Sequence, residues 1–306
     1  MDDMTDLPDI GVFEARYLAF LATIAELRPS LHRYCARMTG SVSDGEDIVQ
    51  EALFHAYRRL DTFDDTRPLK PWLFQIAHHR CIDFLRRRDV RENAETEAEA
   101  ETPDVVTPAA PVGAELGRAV EFLVLTLPPK ERASVLLKDV LDYSLEEIAE
   151  LIGTTVGGVK AALNRGRTKL AASPEKTPPR RAINAEAARL RNLYVERFNR
   201  RDWNGLRELI ADDARVLVAD RFAGRIADSP YFGRYQRLTI AWRMADGEVD
   251  GEPVVISMHE VDGVWTPHSI IRLYAVGDRI ARIVDYDHCG WVLPAAASVL
   301  IQGEVT

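Results

Sequence analysis

A basic segment near the middle of the chain carries side chains of the types that read DNA bases. It occurs within YSLEEIAELIGTTVGGVKAALNRGRTKL, residues 143–170. If Val156, Val159 and Leu163 face inward on a helix, the outward positions are Lys160, Ala161, Asn164, Arg165 and Arg167. Asn pairs bidentately with adenine, and Lys or Arg with guanine. A solvated basic face on an ordinary helical hairpin fits the same pattern, so this segment alone leaves both interpretations open.

A second segment mixes aromatic and basic side chains, a combination that suits single-stranded nucleic acid. Its members are Trp72, His78, His79, Arg80, Arg86, Arg87 and Arg88. Bases stack on planar side chains, while cations follow the phosphates. Ordinary alternatives exist, because Trp72 suits a core and the arginines suit a solvated helix end. His78 and His79 make a poor metal pair, since adjacent residues point to different faces of a helix.

Little else in the sequence points to metal, cofactor or membrane chemistry. Cys35, Cys81 and Cys289 form no CxxC pair, which predicts free thiols rather than a zinc site or a disulfide framework. No stretch approaches the roughly 20 apolar residues that cross a bilayer. The N-terminal MDDMTDLPDI is acidic, whereas a signal peptide begins with basic residues. We therefore expect a cytoplasmic protein with no membrane partner, no metal and no cofactor.

Charge is distributed unevenly along the 306 residues. The formal net charge of −9 is unusual for a DNA-binding protein. Residues 154–181 nevertheless hold seven basic residues against one acidic residue, whereas residues 91–114 hold one basic residue against six acidic ones. An acidic chain with one strongly basic segment fits a nucleic-acid reader whose other surfaces face proteins.

Two breaks in composition divide the chain into three blocks. Residues 91–114 are rich in Ala, Glu, Thr and Pro and lack aromatic residues, which predicts a flexible acidic linker. SPEKTPPR at 173–180 predicts a second, basic linker interrupted by proline. The predicted domains are therefore 1–90, 115–172 and 182–306.

The first two blocks are predicted to be all-α. In the first block, Ser43 and Glu46 have capping-box spacing before an apolar stripe of helical period. Pro71 suits the first turn of another helix. In the second block, Leu127-Pro128-Pro129 marks a helix start.

The second block also has the signals of a helix-turn-helix. Ser144 and Glu147 form a capping box, and Gly153 permits a sharp turn before the basic helix. Two helices joined by a short glycine turn are typical of this motif, whose second helix enters the major groove.

The third block changes from helix to strand. An amphipathic helix is predicted over 185–200, and Asp202 can cap another. Strand-like runs then follow, separated by the turn signals Asp262-Gly263 and Gly277-Asp278. Helices followed by an antiparallel sheet indicate an α+β domain.

Two segments of the first block and one of the second resemble a known family. DGEDIVQEALFHAYRRL and PLKPWLFQIAHHRCIDFLRRR resemble region 2 of the extracytoplasmic-function (ECF) sigma factors. The stretch from LPPKERASVLL to NRGRTKL resembles region 4 of the same family. The resemblance covers about residues 13 to 172. It implies an alternative sigma factor rather than an enzyme, with core RNA polymerase (β′ and β subunits) and promoter DNA as partners.

The resemblance also implies roles for individual residues. Docking on the polymerase β′ coiled coil would use Asp44, Glu46, Asp47, Gln50 and Glu51. The minus-ten element would be held by Trp72, His78, His79, Arg80, Arg86 and Arg87. The minus-thirty-five element would be read by Thr155, Lys160, Ala161, Asn164, Arg165 and Arg167. His79 stands where relatives often have Asn, and Gly157-Gly158 costs the reading helix about 1 kcal/mol per residue relative to Ala, so the promoter sequence itself stays open.

Residues 182–306 resemble a SnoaL-like domain of the NTF2-like superfamily, an α+β cone. The resemblance depends on paired helices, ADDARV at 211–216 and IVDYDH at 283–288. It implies room for a small ligand or an acid–base site, with candidates Asp212, Arg225, Tyr231, Trp242, His259, His268, Asp285, Asp287 and His288. A satisfied polar interior is the ordinary alternative, since fold does not imply function. We expect this domain to regulate the sigma module.

Two other classes of protein remain as alternatives. One is a DNA-binding regulator that senses a ligand through the cone and never engages polymerase, although such a regulator needs no region 2. The other is a chain whose cone works as a cyclase or isomerase through an Asp–His pair.

Overall fold

The computed structural model describes residues 10–64, 66–98, 124–172 and 185–302. The chain divides into two compact units, Met1–Thr177 and Pro178–Thr306. This division falls inside the predicted basic linker SPEKTPPR, all of which lies outside the described residues. Each unit is described by itself.

The first unit begins with three helices, here called the first helical half. They are α1 (Ile10–Thr39), α2 (Val42–Tyr57) and α3 (Leu69–Ala98), and each contacts the other two. Pro71 lies in the first turn of α3, as predicted. Helix α3 continues to Ala98, so residues 91–98 are helical where the flexible acidic linker was predicted to begin. The rest of that linker lies outside the described residues.

The start of α2 differs from the predicted capping box. Ser41, not Ser43, is the N-cap, and its hydroxyl accepts a hydrogen bond from the Asp44 backbone N–H at 3.1 Å. Glu46 instead forms an ion pair with Arg28 of α1 at 2.5 Å. The prediction was wrong because serines at 41 and 43 both suit a cap, and the contact with α1 decides where the Glu46 carboxylate points.

The second helical half begins with a 3₁₀ turn (Val124–Thr126). Helix α4 (Pro129–Val135) widens into a π-helical turn (Leu136–Val140), and α5 (Leu145–Leu151) and α6 (Val156–Ala172) follow. The predicted capping box is confirmed, because Ser144 Oγ accepts from the Glu147 N–H and Glu147 Oε2 accepts from the Ser144 N–H. Gly153 has φ of +66°, which glycine adopts without strain, and it turns the chain between α5 and α6. The helix-turn-helix is therefore present.

Loss of this cap should destabilise the first unit measurably. Ser144→Ala should lower the free energy of unfolding by about 1 kcal/mol, because the Glu147 backbone N–H at the start of α5 loses its acceptor. Chemical denaturation followed by circular dichroism measures this. Thr168→Ala, which removes a hydroxyl inside α6, is the control and should not lower stability, since Ala favours helix over Thr. Equal losses in both variants would contradict the capping role.

The two helical halves share one hydrophobic core. Tyr143 of the second half packs on Phe74 of α3 with ring centroids 5.4 Å apart. The Lys70 ammonium lies 5.0 Å from the centre of the Tyr143 ring. Arg132 of α4 donates hydrogen bonds to the Met38 carbonyl at the end of α1 and, at 3.1 Å, to the Leu127 carbonyl. The blocks predicted as separate domains 1–90 and 115–172 are thus joined in one packed unit.

The second unit opens with α7 (Ala185–Asn199) and α8 (Trp203–Glu208), and the Asp202 side chain caps α8 as predicted. Helix α9 (Tyr231–Gln236) lies between the second and third strands. The strands are β1 (Ile210–Val218), β2 (Phe222–Arg225), β3 (Trp242–Val249), β4 (Glu252–Val261), β5 (Val264–Val276), β6 (Arg279–Asp285) and β7 (Val299–Ile301).

The strands form one sheet in the order β2-β1-β6-β5-β4-β3-β7. Asp262 and Gly263 both have positive φ, which confirms the predicted tight turn between β4 and β5. All neighbouring pairs are antiparallel except β1 and β6, which run parallel. The expectation of a wholly antiparallel sheet is corrected there, because a long connection between these strands permits the parallel direction. The α+β class is confirmed.

Aromatic side chains fill the space between the helices and the sheet of the second unit. The Phe198 ring of α7 lies 4.9–6.0 Å from five other rings. They belong to Tyr194, Trp203, Phe232, Tyr235 and Trp242. Trp242 is therefore a core residue rather than a binding side chain.

The cysteines and the apolarity of the helices were two further subjects of prediction. All three cysteines are buried free thiols, as predicted. Within the described ranges no helix combines the length and the apolarity needed to cross a bilayer.

Candidate nucleic-acid interface

Helix α6 presents the predicted reading face to solvent. Val159 and Leu163 are buried beneath it, which fixes the rotation of the helix. The six residues predicted to meet the minus-thirty-five element are all exposed: Thr155, Lys160, Ala161, Asn164, Arg165 and Arg167. Thr155 also accepts a hydrogen bond from the Gly158 N–H at 3.1 Å, so it caps the helix. The local sequence signals thus place all six residues where a groove of DNA can reach them.

Two of the arginines on this face are already paired. Arg165 Nε lies 2.9 Å from Glu131 Oε1, and Lys169 Nζ lies 2.9 Å from Glu131 Oε2. The hydrogen bond from Lys169 lowers the pKa of the Glu131 carboxyl, with Arg165 adding to the effect, so the carboxylate stays ionised. Arg167 makes a bidentate contact with Asp139, at 2.5 and 3.1 Å. These acidic partners lie 28 to 34 residues away, so local sequence patterns could not predict the pairs.

Lys160 and Asn164 differ from these arginines. In the part of the chain that the structure describes, no ion pair or side-chain hydrogen bond engages either side chain. Both line a groove of about 530 Å³ together with Lys138, Ser144 and Arg167. Since bidentate base contacts need donors and acceptors that are not otherwise engaged, these two positions are the best placed to read bases.

Helix α3 exposes most, but not all, of the predicted minus-ten residues. Trp72 is half-buried and packs on Phe63 with ring centroids 4.5 Å apart. His79 is exposed. Arg80 lies 3.4 Å from the Glu51 carboxylate and 2.7 Å from His55 Nε2. Arg86 and Arg87, which are exposed further along the helix, add two cations. The helix therefore offers one aromatic and several cationic groups along its outer side.

His78 does not belong to this surface, which corrects the prediction. It is 5% exposed, and its Nδ1 lies 2.7 Å from the Tyr34 hydroxyl of α1. Burial lowers the pKa of His78 from 6.5 to about 4, and the neighbouring His79 adds to the effect. A neutral imidazole inside the core cannot contact a DNA strand, so only His79 of the pair can do so.

The buried imidazole should make the first unit sensitive to acid. The unfolded chain takes up a proton at His78 below pH 6.5, whereas the folded protein does so only near pH 4. Stability should therefore fall as the pH drops through this window, by about 3 kcal/mol, because one pKa unit corresponds to about 1.4 kcal/mol. Denaturation of His78→Gln at about pH 7 and about pH 4 should show a smaller loss. His79→Gln is the matched control, and the same flattening in it would contradict the assignment.

Helix α2 carries the residues predicted to dock on polymerase. Glu51 is exposed, and Asp44, Asp47 and Gln50 are half-buried. Glu46 is corrected, because its carboxylate is held by Arg28 and by the Gln50 amide at 3.3 Å. The sequence analysis also missed two apolar side chains near the end of the helix, Phe54 and Tyr57, which are 60% and 46% exposed. Exposed apolar side chains beside acidic ones are typical of a protein-binding surface.

The second unit brings four of its predicted candidates together in a polar cluster. His268 Nε2 lies 3.2 Å from Asp287 Oδ1, and the His259 and His268 rings stack at 3.8 Å. Arg234 of α9, which the sequence analysis missed, bridges Asp285 at 2.8 Å and Asp287 at 2.9 Å. We use the term polar cluster for His259, His268, Asp285, Asp287, Arg234 and Tyr235. Asp212 and Arg225 lie outside it on the surface, and His288 lies at its edge, 4.0 Å from Asp287.

The two carboxyl groups of the cluster have different environments. Burial raises the pKa of Asp285, against the opposing effects of Arg234 and the Tyr235 hydroxyl, which donates to it at 2.7 Å. Burial also acts to raise the pKa of Asp287, but the hydrogen bond from His268 and the charge of Arg234 outweigh it and lower the pKa. Asp287 therefore ionises more readily than Asp285. The Asp285 carboxyl group is buried and accepts hydrogen bonds from Arg234 and Tyr235.

Comparison with known proteins covers both units. Residues 23–91 match sigma-70 region 2, and residues 117–170 match sigma-70 region 4. The ECF RNA polymerase sigma factor SigW of Bacillus subtilis is 34% identical over 162 residues, 50% of this chain and 87% of that protein. SigG of Mycobacterium tuberculosis, also an ECF sigma factor, is 31% identical over 308 residues, 87% of this chain and 80% of its own. The chain belongs to the ECF RNA polymerase sigma factor family.

Solved structures resemble the sigma factor as well. The crystal structure of the Mycobacterium tuberculosis ECF sigma factor SigJ aligns with 87% of this chain and 95% of its own, at 18% identity and a TM-score of 0.35. A putative ketosteroid isomerase from Kribbella flavida aligns with 33% of this chain and 76% of its own, at 20% identity and a TM-score of 0.27.

Membership of the family defines the activity. A sigma factor binds core RNA polymerase and promoter DNA and directs initiation to particular promoters, and it is not an enzyme. Region 2 spans most of α1, all of α2 and α3 to residue 91, and region 4 holds α4 to α6. The polar cluster lies outside both regions, in the α+β second unit.

Proposed function

We propose that this sigma factor reads its promoter with two surfaces. Region 4 inserts α6 into the major groove of the minus-thirty-five element, with Lys160 and Asn164 on base edges and Arg165 and Arg167 on phosphates. The observation that carries this assignment is the exposed reading face of α6, in which only the arginines are already paired with carboxylates. Phosphates can replace those carboxylates, since arginine pairs with both in the same bidentate way.

The minus-ten element is proposed to meet the outer side of α3. Trp72 offers a half-buried ring on which a flipped base can stack, and His79 and Arg80 lie about two turns further along the helix. Arg86 and Arg87 follow the strand as cations. His78 supports this surface from below by its contact with Tyr34.

Docking on polymerase is proposed to use α2 for the β′ subunit and region 4 for the β subunit. The acidic groups Asp44, Asp47 and Glu51 suit a basic partner. Phe54 and Tyr57 would add apolar contact area beside them. The complex would form in the cytoplasm, where the polymerase works.

Reconstituted run-off transcription tests the promoter-reading proposal. Core polymerase, this protein and fragmented DNA from its host should give discrete start sites that share two spaced elements. Lys160→Ala combined with Arg165→Ala should abolish them. Absence of both starts and core binding would instead favour the ligand-sensing DNA-binding regulator, which the region 2 match disfavours.

We also propose that the SnoaL-like domain regulates the sigma module, with a small ligand as one means of doing so. It has a core of its own and follows a complete pair of sigma regions. Truncation after Leu170 should change promoter output, and new starts from the truncated form alone would identify the domain as inhibitory. Unchanged output and unchanged core binding would overturn a regulatory role.

A further inference from the structure

Three potential metal ligands meet on one face of the sheet in the SnoaL-like domain. His259 lies on β4 and His268 on the neighbouring strand β5, at an irregularity in the β4–β5 register. Asp287 lies two residues after the end of β6. One nitrogen from each histidine and one carboxylate oxygen all lie within 4.8 Å of one another. Two neighbouring strands and the segment that follows a third thus bring these three side chains together.

One imidazole nitrogen of these residues is buried and has no hydrogen-bond partner among the described residues. It is Nε2 of His259, and the hydroxyls of Ser257 and Ser269 on the same two strands share this condition. A buried polar atom without a partner costs about 1–3 kcal/mol. A bound ion or small molecule that contacts this nitrogen would offset the cost.

The charge of the cluster favours a cation. Asp285 and Asp287 carry two negative charges when ionised, and Arg234 supplies one positive charge between them. Arg234 engages Oδ2 of Asp287, so Oδ1 is directed to His268 instead. The arginine therefore holds the carboxylate in place without occupying the oxygen that faces the imidazoles.

We propose that His259, His268 and Asp287 bind a divalent first-row transition metal ion of the zinc type. Imidazole and carboxylate are ligands that such ions prefer. Bond lengths of about 2.0–2.2 Å in a tetrahedral site place ligand atoms about 3.4 Å apart, and the His268–Asp287 separation of 3.2 Å already matches this. In the bound state, one of the two stacked imidazole rings would turn about its Cβ–Cγ bond, so that a nitrogen lone pair of each ring is directed at the ion. This torsion angle has broad energy minima.

Three protein ligands leave the fourth position of the ion for a water or an exchangeable ligand. Metal binding would therefore place an exchangeable coordination site in a domain that lies outside both sigma regions. Sequence spacing could not show that these three candidates meet, because they are separated by 9 and 19 residues and come from two strands and the segment after a third. The proposal does not depend on the promoter-reading residues.

Titration of the full-length protein with Zn²⁺, followed by calorimetry, tests the proposal. One ion should bind per chain, and Co²⁺ in its place should give the visible absorption of a tetrahedral nitrogen–oxygen site. His259→Phe and His268→Phe keep an aromatic ring but lose the ligand atom, and each should weaken binding by about 10-fold or more. His55→Gln, in region 2, is the matched control and should bind as the wild type does.

Several results would overturn the site. Absence of binding would do so, as would equal affinity in His259→Phe, His268→Phe and His55→Gln. A thiolate-to-cobalt charge-transfer band would assign the ion to a cysteine instead. Near-ultraviolet circular dichroism of each variant shows whether the domain stays folded. If both Phe variants unfold, Asp287→Asn serves in their place, since the amide can keep its contacts with Arg234 while losing the negative charge.

Discussion

Lys160→Ala combined with Asn164→Ala should nearly abolish promoter-specific run-off transcription while leaving binding to core polymerase unchanged. Both side chains lie on the exposed face of α6 and line its groove. Each good contact with a base edge contributes about 1–3 kcal/mol of discrimination, so losing two should reduce specific initiation by about 100-fold or more. The double variant removes little that the fold needs, because both residues are solvent-exposed.

The matched control is Thr168→Ala, one turn beyond Asn164 on the same helix. Its hydroxyl donates to the Asn164 carbonyl at 2.8 Å, which is a contact within the helix backbone. Run-off from the control should stay near the wild-type level. Footprinting of both variants on the same promoter separates loss of base reading from loss of the fold. Wild-type initiation by the double variant would show that α6 does not read the promoter through these residues.

Local signals in the sequence predicted region 4 well because its geometry is set by neighbours in the chain. The capping box of Ser144 and Glu147 and the left-handed Gly153 are interactions over three residues or fewer. The same reasoning failed at α2, where Ser41 competes with Ser43 and a partner 18 residues away orients Glu46. The spacing of serine and glutamate predicts a cap, but it cannot show which of two nearby serines forms the cap or whether a tertiary contact holds the glutamate elsewhere.

The sequence could not predict which of two adjacent histidines is buried. His78 and His79 are adjacent on α3, and only the position of Tyr34, 44 residues earlier, shows which of them faces the core. The polar cluster shows the same limit, since Arg234 meets Asp285 across 51 residues. The structure brings the candidates His259, His268, Asp285 and Asp287 together, but periodicity could not show that an arginine from α9 would join them.

The arrangement of the two helical halves was also not predictable, and it has a consequence for function. The minus-ten and minus-thirty-five elements are separated by about 25 base pairs, or about 85 Å of B-DNA at 3.4 Å per base pair. A compact folded unit of this length is only about 40 Å across. If α3 and α6 bind the two elements as proposed, the packed first unit cannot hold both helices in place at once, and we expect the halves to separate when the promoter is bound.

Tyr143→Ala should promote this separation. The ring is 4% exposed and contacts both Phe74 and Lys70 of α3, so its removal should weaken the packing of the halves by about 3 kcal/mol. Spin labels at the exposed residues Arg59 and Thr168 should report a longer and broader distance distribution by double electron–electron resonance. Promoter complexes should then form at lower sigma concentration, because less free energy is spent on opening.

Tyr57→Ala is the control for the distance measurement only, since it removes a tyrosine that packs on Tyr17 within the first helical half, with ring centroids 5.7 Å apart, and that lies on the proposed polymerase-docking surface. The spin-label distance in the control should match that of the wild type. An unchanged distance in Tyr143→Ala, with retained helix content, would show that other contacts such as Arg132 to Met38 hold the halves closed. A longer distance without tighter promoter binding would mean that opening is not the step that limits promoter engagement.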